Sequence, residues 1–266
     1  MKYQKKDISD ALNKLDLRDT RVVSIKTDLR LFGRHCFSNG EALLLSFYEA
    51  ICEKIDLSAQ TLVVATSSHS LCNTDIPFDI ENTRSEMGAL TEFIRCQPGS
   101  IRSNHPFGSY TAIGNQANYI CSNNSLHVYG PHSPKARMLE LGTQLVNFGV
   151  HPYDATTVIH HAEFMAGVPY RYAKEFWHPI LRNGVVENQH FYMHVRYLQS
   201  NIVRNIALKM YPAFFEAGHQ FQEVGLGQGK VYSFSMNEFY DTAMSVFKDD
   251  LYAYVETPIV EKPYLL

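Results

Sequence analysis

Two side chains three residues apart, His160 and Glu163, carry the clearest chemistry in the chain. On a helix, residues at that spacing share a face, so the imidazole and the carboxylate can stand side by side. A carboxylate beside an imidazole fixes its tautomer and favours the imidazolium once it forms, which makes the ring a competent proton acceptor. Most H-x-x-E pairs are ordinary polar contacts, so the spacing needs support from its surroundings. The pair lies in DATTVIHHAEFMAGVPYR, residues 154–171, which follows an apolar run, QLVNFGV, that reads as a buried strand. The polar start of that stretch suits the opening of a helix. His161 reads as packed or solvated, because neighbours on a helix point apart.

The elements that must position this pair follow an α/β pattern. A helix is predicted over residues 7–17, with Ile8, Leu12 and Leu15 on one face and Asp7 as its cap. Ser38 and Glu41 form an S-x-x-E capping box for a second helix running through Ile55. Shorter helices are expected over residues 85–95 and 135–141, the latter ended by Gly142. Buried strands are expected at residues 22–25, 61–65, 108–113 and 144–150. Residues 67–83 read as a polar loop without periodicity, and loops of that length are more often functional than idle. Helices and strands thus alternate from residue 20 to residue 166, which implies a central mixed or mainly parallel sheet flanked by helices.

The last third is less regular. Residues 178–198 suggest a β-hairpin turning at Asn183-Gly184. A helix over residues 202–216 would be kinked or divided by Pro212. Residues 230–234 read as a strand, and Ser235 with Glu238 caps a closing helix to about Phe247. With no repeat and no Pro/Ser-rich linker, the chain reads as one domain over residues 1–266. Residues 172–228 form an inserted hairpin and helical lid, or acceptor-binding region.

Composition bounds the function classes. Across 266 residues, 45% are hydrophobic and 19% charged, which is ordinary globular composition with room for a sizeable core. The formal charge is −3 and no long Lys/Arg block occurs, so a nucleic-acid backbone is not an expected partner. No apolar run approaches the roughly 20 residues that span a bilayer, and MKYQKKDISD lacks a signal-peptide core, so neither membrane nor export is expected. Five scattered cysteines without a C-x-x-C pair suggest free thiols in a reducing cytoplasm.

Other signals lead nowhere specific. Gly225, Gly227, Gly229 and Lys230 suggest a phosphate loop, but Val224 and Val231 stand where its first glycine and its Ser/Thr are required; the segment reads as a turn before a strand. Twelve histidines suggest a metal-dependent hydrolase, yet H-E-x-x-H is absent and no metal is expected. Ser109 and Ser133 lack the G-x-S-x-G elbow of a serine hydrolase. The aromatic tail (Tyr252, Tyr254, Tyr264) reads as packing or as a contact in a homodimer.

Three segments together resemble the aminoglycoside 3-N-acetyltransferase family, the acetyl-CoA-dependent antibiotic acetyltransferases that lack the GNAT fold. They are IPFDIENTRSEMGALTEFIRCQPGSIRSNHPFGSYTAIG, YGPHSPKARMLELGTQLVNFGV and TTVIHHAEFMAGVPYR, with a weaker match in GKVYSFSMNEFYDTAMSVF. The resemblance implies an α/β acyltransferase in which His160 is the catalytic base and Glu163 its orienting carboxylate, raising the ring's pKa. It implies direct transfer from acetyl-CoA to an amine. Coenzyme A would lie against Thr27, Asp28, Leu29 and Ser133, with Thr157 near the site. Asp79 and His105 match family residues near the acceptor.

Two departures bear on substrates. The family usually has H-S/A-S-L after the first strand, whereas this chain has Lys26-Thr27-Asp28-Leu29. Family members also carry acid-rich segments after the hairpin, whereas residues 187–204 hold one acid, two histidines (His190, His194) and two arginines (Arg196, Arg204). Arginine suits phosphate through its planar fork. Arg196 is therefore assigned to a nucleotide-linked amino sugar as the expected acceptor. The alternatives are a free aminoglycoside, as for a resistance enzyme, and an inactive coenzyme- or sugar-binding protein.

Overall fold

Three apolar runs, VVSIKT, TLVVA and TQLVNF, form the parallel heart of the computed structural model, which describes residues 2–197 and 203–256. β1 (Val22–Thr27) pairs in parallel with β2 (Thr61–Ala65) on one side and β6 (Thr143–Phe148) on the other. Antiparallel strands continue the sheet. β5 (Tyr110–Gly114) and β4 (Ile101–Arg102) extend it beyond β2, while β10 (Gly229–Ser235) and β9 (Gln222–Leu226) extend it beyond β6. The order is β4-β5-β2-β1-β6-β10-β9, a mixed sheet. A second sheet joins β3 (Phe78–Asp79) to the long hairpin of β7 (Arg171–Arg182) and β8 (Val185–Arg196).

The central strands are largely apolar because both of their faces are covered, although β1 and β6 also carry polar residues such as Lys26 and Asn147. On one face Val23, Ile25, Leu62 and Val64 pack with α1 (Lys5–Asn13), α2 (Gly40–Lys54) and α3 (Ala89–Arg95). On the other, Val22 and Val63 meet α4 (Ala117–Cys121), α5 (Pro134–Leu141) and α7 (Ile159–Ala166). α8 (Met210–Glu216) and α9 (Met236–Asp249) close that second core with Phe214, Phe239 and Phe247. The single turn α6 (Pro152–Ala155) precedes α7. None of the described helices is long and apolar enough to cross a membrane.

Several boundaries differ from the sequence reading for identifiable reasons. α2 is capped by Asn39, whose Oδ1 accepts from the Ala42 amide at 2.8 Å, in place of Ser38. α1 begins at Lys5, and Asp7 serves as the third residue of a capping box whose carboxylate takes the Gln4 amide at 2.9 Å. α3 starts only at Ala89, since Gly88 sits at φ 119°. Residues 154–171 are not one helix. Thr156 Oγ1 donates to the Pro152 carbonyl at 2.7 Å and meets the Tyr211 hydroxyl, so the chain stops after one turn and restarts at Ile159. Pro212 lies in the first turn of α8, where a missing N–H costs nothing, so it does not kink that helix. The hairpin turns at Asn183-Gly184, both at positive φ, as expected, although it begins earlier, at Arg171. Residue 202, the expected start of the helix before Pro212, lies outside the described residues, as does Tyr264 of the aromatic tail.

Candidate active site

β1 and β2 end on the same side of the sheet, which is where ligands bind in open α/β sheets. A cavity of about 240 Å3 opens there, lined by Lys26 and Thr27 of β1, Ala65 of β2, Tyr110 of β5, Lys135 of α5 and Thr157 before α7. It shares Thr27 and Met87 with an outer crevice of about 430 Å3 that passes Asp28, Leu29 and Gly88. Gly149 makes the approach of these segments close: at φ 81°, a Cβ there would stand 2.4 Å from the Asp28 carbonyl oxygen.

His160 is the second residue of α7, and Glu163 follows one turn later. The core holds this helix through Val158, Ile159 and Ala162. Glu163 is fully buried and holds two partners: His160 Nδ1 at 2.7 Å from Oε2, and Arg171 Nε at 2.8 Å from Oε1. A carboxylate can only accept here, so the first contact assigns the imidazole proton to Nδ1 and leaves Nε2 with a lone pair. Arg171 also places a terminal nitrogen 3.3 Å from Nδ1, a crowding contact once that nitrogen carries the proton. His160 is not itself among the cavity's lining residues; it adjoins them through Tyr129, which lines the cavity and whose ring lies 5.5 Å from the His160 ring.

The electrostatics correct one expectation. Burial dominates at His160 and, with the charges of Arg171 and Lys135, outweighs the help from Glu163, so the pKa falls to about 4. At Glu163 burial pushes upward, but the hydrogen bond and charge of His160 and the charge of Arg171 prevail and hold the carboxyl at about 2. The ring is therefore neutral and the carboxylate charged at neutral pH.

The other expected site residues fall into two groups. Thr27, Asp28 and Leu29 border the outer crevice, and Thr157 lines the cavity, accepting from Lys135 Nζ at 3.2 Å. Asp28 is occupied by Arg30 at 2.6 Å and caps the following turn, so its charge is balanced locally. Ser133 is fully buried as the N-cap of α5, with its Oγ accepting from the Ala136 amide at 3.3 Å. Arg196 stands opposite Arg171 across the hairpin. Burial, then the charges of Arg204 and Arg171, lower its pKa. Asp79 and His105 do not line the cavity. Asp79 accepts from the Glu81 and Asn82 amides in a turn, and the His105 ring packs against Phe191 with centroids 4.9 Å apart. His161 is buried and donates from Nδ1 to the Tyr129 carbonyl at 2.5 Å.

The sequence gives no role to Arg171, Tyr129, Lys26 or Lys135, although the first two and Lys135 lie inside the segments that resemble the family. Their residue types alone do not reveal which side chains they meet in the fold. Among the described residues no three His, Cys, Asp or Glu side chains gather as a metal-ligand set.

A family model described as aminoglycoside 3-N-acetyltransferase matches residues 49–248. Aminoglycoside N(3)-acetyltransferase VII of Streptomyces paromomycinus is 36% identical over 98 residues, covering 36% of this chain and 34% of that protein. Aminoglycoside N(3)-acetyltransferase III of Pseudomonas aeruginosa is 35% identical over 111 residues, 41% of each. The chain thus spans well under half the length of these curated relatives. Among solved structures, YokD of Bacillus subtilis superposes with a TM-score of 0.77 at 21% identity, over 94% of this chain and 95% of that one. AAC-IIIb, solved as a binary complex with CoASH, gives 0.75 at 19% identity over 97% and 100%. AAC-VIa bound to sisomicin gives 0.79 at 19% over 94% and 98%. At these identities the structural likeness speaks to the fold.

Proposed function

The chain belongs to the aminoglycoside 3-N-acetyltransferase family, and from that premise we propose that it is an acetyl-CoA-dependent N-acetyltransferase acting on an amino group of an aminoglycoside. The observation that carries this reading is the His160–Glu163–Arg171 cluster beside a cavity at the ends of the parallel strands. The relatives' names support the acceptor class, and the likeness to AAC-IIIb with CoASH supports the donor.

In this reading the coenzyme supplies an acetyl thioester, and the chain's own residues handle the proton. His160 Nε2 accepts a proton from the amine as the C–N bond forms and the C–S bond breaks, then returns it to the departing sulfur. A base of pKa about 4 is weak toward a free amine. It becomes competent because nitrogen loses its basicity as it bonds to the carbonyl carbon. Glu163, kept ionised, holds the transient imidazolium. Thr27, Asp28, Leu29, Ser133 and Thr157 position the coenzyme, the first three along the outer crevice and Thr157 from the cavity wall. The β7–β8 hairpin serves as the acceptor lid, its first residue clamping Glu163. A coenzyme A donor suits a cytoplasmic location.

One observation favours a second acceptor class. Arg171, Arg196 and Arg204 gather at the root of the hairpin, close enough that, after burial, the charges of Arg204 and Arg171 depress the Arg196 pKa. With Arg171 already paired to Glu163, the remaining positive charge of Arg196 and Arg204 suits an amino sugar carrying phosphate, such as a nucleotide-linked one, better than a polycation.

Thiol release from acetyl-CoA, measured with a panel of aminoglycosides and nucleotide-linked amino sugars, tests both readings. Turnover should appear with one class and fall roughly 10²–10⁴-fold in His160→Asn. Binding of acetyl-CoA without turnover of any amine would leave a catalytically inactive binding protein instead.

A further inference from the structure

The cavity beside His160 holds two lysines that the transfer mechanism does not use. Lys26 is the fifth residue of β1, and Lys135 is the second residue of α5, 4% exposed. Lys135 Nζ donates to the Tyr110 hydroxyl at 2.5 Å and to Thr157 Oγ1 at 3.2 Å, both of them neutral oxygens. Among the described residues no Asp or Glu forms an ion pair with either lysine, although Asp154 lines the same cavity, as does His69.

A third donor joins them. Asn147 of β6 is the register partner of Lys26, so both side chains leave the same face of the sheet. Asn147 is 2% exposed, its Nδ2 has no hydrogen-bond partner among the described residues, and it lines a small cleft with both lysines that continues the main cavity. The first amides of α5 add partial positive charge on the Lys135 side.

Such an arrangement is costly when empty of charge. A buried cation without a counter-ion is unfavourable, and two facing one cavity repel each other. Burial pushes Lys135 down to about 7, and burial with the neighbouring charge of Lys135 does the same to Lys26. A buried amide donor without a partner adds a further penalty. One anion removes all three.

We propose that Lys26, Lys135 and Asn147 form an anion-binding subsite that takes a compact carboxylate or phosphate carried by the transferred acyl unit or by the acceptor. The subsite rests on the acyltransferase reading only for which molecule brings the anion. A cavity of about 240 Å3 holds such a group with room to spare, against about 30 Å3 for one water in the liquid. An acyl-borne carboxylate would make the preferred donor a dicarboxylic acid monothioester. An acceptor-borne phosphate would make the acceptor a phosphorylated amino sugar.

Calorimetric titration of the full chain with succinate and with inorganic phosphate reads the subsite without turnover. One of the two should bind saturably, and Lys135→Met and Lys26→Met should each weaken it at least tenfold. The pairs succinyl-CoA against acetyl-CoA, and glucosamine 6-phosphate against glucosamine, then identify the carrier: the anionic member of one pair should bind at least tenfold tighter, and the preference should vanish in both variants. No saturable anion binding, equal affinities in both pairs, or a preference surviving both substitutions overturns the proposal. If Lys135→Met does not fold, Lys26→Met decides alone. Acetyl-CoA binding by the wild type is scored separately, because its failure counts against the acyltransferase reading and not against the anion site.

Discussion

Arg171 and His160 divide the two oxygens of one buried carboxylate between them: Arg171 Nε lies 2.8 Å from Glu163 Oε1, and His160 Nδ1 lies 2.7 Å from Oε2. The arginine is the first residue of β7 and the histidine sits on α7, with Gly167 in the left-handed conformation between them. Glu163 thus serves two cations of different kinds. Its permanent partner keeps it ionised, and its titratable partner is the proposed base.

Glu163→Gln should damage both stability and turnover. Removing one member of a buried charged group leaves the other uncompensated, which costs about 3–5 kcal/mol. Arg171, half of a fully buried pair, would be that orphan. Urea unfolding should report a loss of this size, with kcat down about 10²-fold or more in any protein that still folds. A variant within about 1 kcal/mol of wild type would mean that the pair is not what holds α7 to the hairpin.

The His160 ring should stay neutral well below the ordinary histidine range. Its folded pKa is lowered to about 4 by burial first, so the neutral, proton-accepting form persists between pH 6.5 and 4, where a solvated ring would charge. NMR of the ring between pH 8 and pH 5 should show no titration. A midpoint near 6.5 would mean that the ring is solvated and that Glu163 is not shielded with it.

The two cavity lysines make stability depend on alkaline pH. Their folded pKa values are depressed to about 7, so the unfolded chain binds more protons between about 7 and the ordinary lysine value of about 10.4. Stability therefore rises with pH across that window, and the penalty is fully present below 7. Denaturant unfolding at pH 7 and pH 9.5 should show this rise in the wild type and a smaller one in Lys135→Met. Equal slopes in the two proteins would place Lys135 in water.

Gly114→Ala tests a close backbone crossing at the end of β5. The residue sits at φ 120°, and a Cβ would stand 2.3 Å from the Gln60 carbonyl oxygen and 3.0 Å from Thr61 Cα. Backbone on both sides cannot swing away, and the dihedral strain alone is of order 1–3 kcal/mol. A loss below about 0.5 kcal/mol would show that β2 and β5 can part at this point without cost.

The parallel strands were legible because both faces of each are covered, which writes burial into the sequence as a largely apolar run; β2 spans the residues expected for it. The hairpin turn at Asn183-Gly184 was legible because positive φ at both positions selects those residue types. β9 was not. QEVGL is an edge strand exposed along most of its length, so nothing in its pattern separates it from a loop. The break before α7 was hidden as well, since it depends on Thr156 meeting Tyr211, 55 residues away. At the site, His160 and Glu163 announce themselves because their contact is local to one helix. Arg171, Lys135 and Asn147 lie in the quoted segments too, but they act across strands and helices, and their spacing does not announce such meetings.

The outermost strands of the main sheet set how copies of the chain can associate. β4 offers only two residues, and on β9 the side chain of Glu223 is tied to Lys230 of the neighbouring strand. A second molecule seeking to prolong the sheet would find almost no free ladder on one flank and a charged, glycine-broken one on the other. Prolonging this sheet by strand addition, the route to fibrils, is thereby disfavoured at both of its flanks.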